Sequence, residues 1–228
     1  MKIIDLENHF FTNDYLRYLR SRKAPPRETE EKDGLTMWYN DVLCSPRGFE
    51  MENKLLDLGE SRLEEMDEKG ITIQALSLSP PGVQCFEPAE GTAWARRVND
   101  ELAKVIKRHP DRFVGLACIA AQSPEEAADE MKRAVSELGM KGVNIESHAR
   151  NEYLDHKKYW PIFERAERLD VPIYLHPEIP STSILRGYAE DYGFELAGPP
   201  HGYGADLALH AMRLIYSGLF YKYPKLKM

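Results

Sequence analysis

The chain has few cysteines, no excess of positive charge and no long apolar segment, and each shortage excludes a class of protein. Its 228 residues include only three cysteines, at positions 44, 85 and 118. That number is too small for a disulfide framework, so reduced thiols and a cytoplasmic location are expected. The formal net charge of −7 argues against nucleic acid or an anionic membrane as the main partner. No apolar run approaches the roughly 18 residues of a transmembrane helix.

Phosphate-binding and targeting signals are absent from the sequence as well. It contains no glycine-rich phosphate loop, no basic stripe and no internal repeat. The amino terminus becomes acidic at Asp5, too early for a secretory signal peptide. Apolar residues make up 43% of the chain, which is enough for a sizeable core. Length and composition therefore predict one domain over residues 1–228.

Apolar segments with β character alternate with longer helical patterns along the chain. Strands are predicted at residues 3–9, 71–79, 113–119, 142–146 and 171–176, and helices at 53–69, 90–108, 124–138, 156–169 and 203–220. Ser123 and Pro124 form a helix start, and Gly139 is a C-terminal cap for the same helix. The alternation predicts parallel strands joined by crossover helices.

Polar residues that follow the predicted strands favour a (β/α)8 TIM-barrel fold of the α/β class, which places active sites at the carboxyl-terminal strand ends. The predicted strands start about 42 residues apart, so eight of them would need about 300 residues or more. Residues 225–228 resemble the start of a sixth strand. The chain is therefore expected to cover the first five to six β/α units, about the N-terminal two-thirds of such a protein.

A long connection separates the first two predicted strands. Residues 10–70 are expected to form an insertion over the mouth of the barrel. Within this insertion, residues 21–34 are highly charged and contain two adjacent prolines. That composition predicts a mobile surface excursion.

Three residues at the ends of two predicted strands give the strongest functional signal. Glu7 and His9 lie two residues apart, so their side chains share one face of the first strand. His176 ends the fifth strand. One carboxylate and two imidazoles suit a divalent metal such as Zn or Mn. The alternatives are a solvated strand end for Glu7 and His9, and a hydrogen-bonded core histidine for His176.

Six segments occur in a fixed order along the chain. They are residues 5–10, 76–84, 109–113, 153–161, 171–177 and 209–218. Together they resemble the metal-dependent decarboxylase branch of the amidohydrolase superfamily, most of all the dihydroxybenzoate (γ-resorcylate type) decarboxylases. The resemblance implies that Glu7, His9 and His176 hold the metal and that His210 lies near the substrate and the catalytic acid. It also implies a homodimer or homotetramer.

The resemblance implies non-oxidative decarboxylation of a hydroxylated benzoate, a small aromatic carboxylic acid that the metal chelates. A metal-dependent hydrolase of an ester, lactone or amide is one alternative. Hydrolases of the superfamily usually begin with His-x-His, and Glu7 in the first position favours the decarboxylase branch. An inactive fragment is the other alternative, because the family's fourth ligand, an aspartate after the eighth strand that also donates the proton, has no counterpart here.

The other candidate residues have weaker support, and each has a structural interpretation as an alternative to the functional one. Phe10 could stack on a substrate ring or pack beneath the insertion. His148, after the fourth strand, could contact the substrate or be a solvated loop residue. Arg213 could pair with a substrate carboxylate or form an ion pair at the surface or at an interface. Without the resemblance, His210 could equally be a hydrogen-bonded histidine of the helix.

Overall fold

Two sheets and the helices between their strands make up the computed structural model, which describes residues 2–228 apart from the side chains of residues 183, 186 and 188–190. The strands are β1 (Ile4–Phe10), β2 (Arg27–Glu31), β3 (Gly34–Trp38), β4 (Cys44–Arg47), β5 (Ile73–Leu78), β6 (Phe113–Cys118), β7 (Gly142–Glu146) and β8 (Ile173–His176). The helices are α1 (Asn13–Ser21), α2 (Phe49–Leu56), α3 (Glu60–Glu68), α4 (Pro88–Arg108), α5 (Pro124–Ser136), α6 (Trp160–Leu169), α7 (Thr182–Ala197), α8 (Gly202–Tyr216) and α9 (Leu219–Lys222).

The main sheet has the order β1-β5-β6-β7-β8, and all of its neighbouring strands are parallel. Helices α4, α5 and α6 connect its later strands in turn. This is the predicted arrangement of a (β/α)8 barrel over its first units. Residues 225–228 form no strand, but the carbonyl oxygen of Lys227 accepts a hydrogen bond from the Ile173 amide at 2.9 Å. The end of the chain therefore lies beside the start of β8.

The predicted mobile excursion at residues 21–34 is wrong, because residues 27–34 form a hairpin of a second sheet. Strands β2, β3 and β4 are antiparallel in that order. Glu31 pairs with Gly34 across a two-residue turn, and alternate residues such as Glu28, Leu35 and Met37 are buried. One face of an antiparallel sheet is buried when every second residue points toward the core, even if the residues between them are charged. The high charge of this segment concealed that alternation.

The helices differ from the predicted ones mainly at breaks. Residues 53–69 are divided between α2 and α3, because the Asp57 carboxylate accepts hydrogen bonds from the amides of Gly59 (2.8 Å) and Arg62 (3.1 Å). Residues 203–220 are divided between α8 and α9 at Gly218, whose φ is +83°. The predicted C-terminal glycine of α5 is confirmed, since Gly139 has a φ of +79°. Helices α1 and α7 were not predicted.

The core lies between the main sheet and helices α4, α5 and α6. Apolar residues from both layers are buried there, including Leu76, Val98, Leu102, Phe113, Met131, Val143, Phe163 and Ile173. This packing fixes the strands and therefore the positions of the side chains that follow them. All three cysteines are free thiols, and only Cys118 is fully buried. Within the described part of the chain, no helix combines the length and apolarity needed to cross a membrane.

Candidate metal centre

The three predicted ligands converge at the carboxyl-terminal ends of β1 and β8. Glu7 Oε1 lies 2.9 Å from His9 Nε2 and 3.1 Å from His176 Nε2. The two imidazole Nε2 atoms are 3.2 Å apart. Strands β1 and β8 are the two outer strands of the main sheet, so contact between their ends requires the sheet to curl as a barrel does.

Both histidines have a second partner that fixes the orientation of the ring. His176 Nδ1 is 2.9 Å from Glu146 Oε2, and His9 Nδ1 is 3.0 Å from Ser77 Oγ. Ser77 in turn lies within reach of the Asn8 carbonyl oxygen as a donor. Partners of this kind hold metal-binding side chains in a productive orientation.

These partners determine which ring nitrogens carry hydrogen. A carboxylate only accepts hydrogen bonds, so His176 donates from Nδ1 to Glu146. The Ser77 hydroxyl donates to a carbonyl, so His9 donates from Nδ1 to Ser77. When each ring is neutral and carries its one hydrogen on Nδ1, both Nε2 lone pairs face the carboxylate of Glu7, which is the form that binds a metal.

Three acceptor atoms that face one another repel unless a proton or a metal cation lies between them. Ligand atoms roughly 2.1 Å from one tetrahedral cation lie about 3.4 Å apart. The separations of 2.9 to 3.2 Å between Glu7, His9 and His176 are close to that value. The donor set and its geometry therefore fit a divalent cation.

The electrostatics of the cluster also favour a positive charge at its centre. Burial acts to raise the pKa of Glu7, yet hydrogen bonds from both histidines and from Tyr174 hold it well below its usual range. Burial lowers the pKa of His176, but the carboxylates of Glu146 and Glu7 outweigh this effect and raise it to about 10. A metal ion needs the deprotonated imidazole, so the ion and the proton compete for the same nitrogen.

Glu146, Ser77 and Tyr174 also support this cluster, and their role was not predicted from the sequence. The Tyr174 hydroxyl donates to Glu7 Oε2. Glu146 ends β7 and is buried, and its Oε1 accepts a hydrogen bond from Asn144 Nδ2 at 3.0 Å. One signal for Glu146 was present in the sequence. This carboxylate ends a predicted apolar strand, and its side chain lies on the same strand face as that of Asn144.

Gly82 allows the loop after β5 to approach Glu146 closely. A Cβ at Gly82 would lie 3.0 Å from Glu146 Oε1, and the φ of this glycine is +60°. Gln84, in the same loop, accepts a hydrogen bond from the Glu146 amide at 3.1 Å. The loop therefore fixes the carboxyl-terminal end of β7.

Replacing Glu146 with glutamine is expected to weaken divalent metal binding by about 10- to 100-fold. The amide keeps the size of the side chain but removes the charge that holds His176 in its tautomer. Metal titration of the purified variant and the unaltered chain measures the difference. Glu137→Gln, the same change at an exposed residue, is the control and should leave the affinity unchanged.

His210 is buried in α8, and its ring has one satisfied nitrogen. The Leu154 amide donates to His210 Nε2 at 3.2 Å, so the ring hydrogen is on Nδ1. Among the described residues, Nδ1 has no hydrogen-bond partner. A buried donor without a partner is costly, so an acceptor placed beside this nitrogen would be stabilised.

His210 is expected to make stability fall as the pH drops from about 6.5 to 4. Burial, aided by His148 and Arg213 and opposed by Asp155, lowers the pKa of His210 to about 4 from 6.5. Above pH 6.5 the ring is neutral in both the folded and unfolded states. Below it, the unfolded chain takes up the proton first, so up to roughly 3 kcal/mol of stability is lost.

Urea unfolding at pH 7, 6, 5 and 4 measures this loss. His210→Gln keeps an acceptor for the Leu154 amide but cannot titrate, so its stability should depend less on pH over this interval. The control is His156→Gln at an exposed position. Equal slopes for the unaltered chain and His210→Gln would show that His210 does not carry the effect.

The three residues predicted to bind substrate occupy different environments. Phe10 is fully buried within the core. His148 is buried, with Nε2 2.9 Å from the Ile179 carbonyl oxygen and Nδ1 accepting from the Asn151 amide at 3.3 Å. Its solvated alternative is therefore wrong, whereas contact with a substrate stays a prediction.

Arg213 forms a two-point ion pair in the structure. Its Nε and Nη2 atoms lie 2.9 and 3.0 Å from the Asp155 carboxylate, and its guanidinium lies over the Tyr153 ring at 5.1 Å. These contacts match the alternative interpretation of Arg213, an ion pair with another side chain of the protein. The substrate contact of Arg213 stays a prediction.

Comparisons with known proteins identify relatives of the whole chain. The profile of the amidohydrolase family matches residues 4–228. A γ-resorcylate decarboxylase of Polaromonas is 41% identical over 186 residues, which are 78% of this chain and 56% of the relative. The chain thus spans about half the length of the curated relatives it matches.

Two solved structures share the fold over nearly the entire chain. A dihydroxybenzoic acid decarboxylase of Polaromonas, with manganese and the inhibitor 2-nitroresorcinol, has a TM-score of 0.82 and 37% identity. The match covers 100% of this chain and 64% of that one. A 5-carboxyvanillate decarboxylase of Novosphingobium aromaticivorans, with manganese and 4-hydroxy-3-methoxy-5-nitrobenzoic acid, has a TM-score of 0.84 and 32% identity. It is covered over 63% of its length, and this chain over 99%.

Proposed function

The chain belongs to the amidohydrolase family, and on that basis we propose that it serves the non-oxidative decarboxylation of a hydroxylated benzoate with a divalent metal. The observation that carries the proposal is the convergence of Glu7, His9 and His176 within 4.8 Å. The relatives add support, since those compared above are decarboxylases of aromatic acids, and two of them hold manganese.

In this proposal each side chain of the cluster has a separate task. Glu7, His9 and His176 hold the metal, while Glu146 keeps the His176 tautomer that presents Nε2. When bound, a divalent metal would supply positive charge that stabilises the phenolate and carboxylate oxygens of the substrate. Tyr174 orients Glu7 through its hydroxyl group. The ligands and their supports thus place the carboxylate to be lost at a defined position.

His210 acts beside the metal ligands in the same reaction. The ring carbon that bears the carboxylate must take up a proton, and carbon dioxide leaves as the ring becomes aromatic again. The Nδ1–H of His210 is a buried donor with no partner among the described residues, so it can orient an acid or polarise the substrate. Phe10, His148 and Arg213 are proposed contacts of the aromatic acid. Manganese or zinc as the metal, assembly as a homodimer or homotetramer, and a cytoplasmic location remain proposals of the same kind.

The proposal is tested by incubating the manganese-loaded chain with 2,6-dihydroxybenzoate. Carbon dioxide and resorcinol are expected in equal amounts, because one carboxylate is exchanged for one proton. A His176→Ala variant should release neither above background. If the metal-loaded chain hydrolyses aryl esters or lactones instead, the proposed function is refuted. If it forms no product of either kind, the inactive-fragment alternative holds for this chain.

A further inference from the structure

The strand that carries two of the metal ligands is irregular in the region of those ligands. Asp5 pairs with Gln74 of β5, but Asn8 pairs with Leu76, so β1 contains one residue more than its partner between these two pairs. Glu7 lies in this bulge. A bulge interrupts the ladder of hydrogen bonds that would otherwise fix the strand. Since β1 is also an outer strand of the main sheet, other contacts must hold its ligands in place.

Arg62 of α3 supplies such a contact on the carboxyl-terminal side of the bulge. Its Nη2 atom donates to the carbonyl oxygen of His9 at 3.0 Å and to that of Lys54, in the last turn of α2, at 2.8 Å. Its Nη1 atom lies 3.5 Å from Gln74 Oε1 in β5. Arg62 also lines a cavity of about 390 Å³ together with Glu7 and His9. The guanidinium therefore joins the ligand-bearing end of β1 to a helix and to the neighbouring strand.

The charge of Arg62 is directed at these oxygens and not at a carboxylate. Within the part of the chain that the structure describes, this partly buried guanidinium forms no ion pair. Burial lowers the pKa of Arg62, and the carboxylates of Asp57 and Glu65 oppose this effect only in part. Arginine nevertheless stays protonated, and a hydrogen bond from a charged donor is stronger than one between neutral groups. The contact therefore holds the main chain of His9 firmly.

We propose that Arg62 is a positioning residue for the metal centre, because it fixes the main chain of His9 and with it the distance between the His9 ring and the Glu7 carboxylate. The inference rests on the proposed function, in which both of these side chains bind the metal. On the other side of the bulge, the Asp5 carboxylate accepts a hydrogen bond from the Glu7 amide at 3.3 Å. The bulge is thus held at both ends, from within the strand and from α3.

Cobalt(II) is a suitable probe of this role, because its visible absorption depends on the number and arrangement of its ligands. Titration of the purified, metal-free chain with cobalt chloride gives a dissociation constant and a spectrum without any assay of activity. Arg62→Met removes the hydrogen-bond donors and keeps an unbranched apolar side chain. We expect this variant to bind cobalt about tenfold more weakly and to show a changed visible spectrum.

Arg112→Met is the matched control, because Arg112 makes similar contacts away from the site. Its guanidinium donates to the carbonyl oxygens of Thr72 (3.1 Å) and Ile71 (3.3 Å), just before β5, and pairs with Asp67 at 2.7 Å. The start of β5 is at the amino-terminal end of the parallel sheet, opposite to the metal ligands. Like Arg62→Met, this variant should lose stability in urea, yet it should bind cobalt with the affinity and spectrum of the unaltered chain.

A folded Arg62→Met variant with unchanged affinity and spectrum overturns the inference and leaves the proposed function intact. Equal weakening in Arg112→Met overturns it as well, since the loss would then follow the stability of the fold. If Arg62→Met does not fold, Arg62→Lys takes its place, because lysine keeps the charge but lacks the two-nitrogen fork. Cobalt binding about threefold weaker in Arg62→Lys supports the inference, and unchanged binding overturns it. If the unaltered chain binds no cobalt, the cluster is not a metal centre, and the proposed function fails together with the inference.

Discussion

A Glu7→Gln/His9→Ala double variant is expected to lose the divalent metal that the unaltered chain binds. Elemental analysis after loading and desalting should find about one equivalent of manganese or zinc in the unaltered chain and none in the variant. Two of three protein ligands are removed, and the single imidazole of His176 cannot retain an ion through desalting. The charge that opposes the imidazoles is lost with Glu7.

The control for this experiment repeats both chemical changes away from the cluster. Glu137 and His156 are exposed, so a Glu137→Gln/His156→Ala variant should keep its full metal content. If the site variant retained one equivalent of metal, the ion would be bound elsewhere. If the unaltered chain bound none, the cluster would be an ionic network of the strand ends and not a metal centre.

The main sheet could be predicted closely because its strands are apolar runs between strongly amphipathic helices. The predicted strand at residues 142–146 has the bounds of β7, and the strand predicted at 113–119 differs from β6 by one residue. In a parallel sheet covered by helices, burial on both faces imposes this continuous apolar pattern. The pattern is local, so a single sequence contains it.

The small sheet was missed because its stability depends on neighbours far along the chain. Glu28 is buried although it is charged, and Arg20 of α1 lies 2.9 Å from it. Nothing within residues 27–31 shows that an arginine of the preceding helix would cover this carboxylate. The two-residue turn before Gly34 was the available signal for a hairpin.

The metal ligands and their supports differ in how far the sequence reveals them. Glu7 and His9 share a strand face by spacing alone, and His176 ends a clear strand. The partnership of Tyr174 with Glu7 joins residues 167 positions apart and needs the curled sheet to exist. Contacts of this range depend on strand order and register, which a local pattern does not specify.

Removing Arg133, the cation that pairs with the buried carboxylate of Glu130, is expected to destabilise the fold strongly. Glu130 in α5 is 1% exposed, and Arg133 donates to it from Nε and Nη2, both at 2.8 Å. Asn99 of α4 donates to the same carboxylate at 2.8 Å and also bonds the backbone of Cys118 in β6. The ion pair therefore joins two helices to the sheet.

Arg133→Met should lower the free energy of unfolding by about 3 kcal/mol, because it leaves the Glu130 charge buried with little compensation. Arg96, whose Nε lies 3.6 Å from Glu130, keeps the expected loss at the lower end of the range for broken buried pairs. Urea unfolding at pH 7 measures the change. Lys104→Met, which breaks the exposed pair with Glu101, should leave the free energy of unfolding almost unchanged, because solvent screens that pair.

A second substitution separates the effect of the unpaired charge from that of lost packing. In an Arg133→Met/Glu130→Gln double variant the neutral amide still accepts the hydrogen bond from Asn99, so most of the lost stability should return. If the double variant were as unstable as Arg133→Met alone, the arginine would act through its packing against α4 and α5. Recovery would instead show that this buried carboxylate, like those around the metal ligands, is tolerated only because a cationic partner covers it.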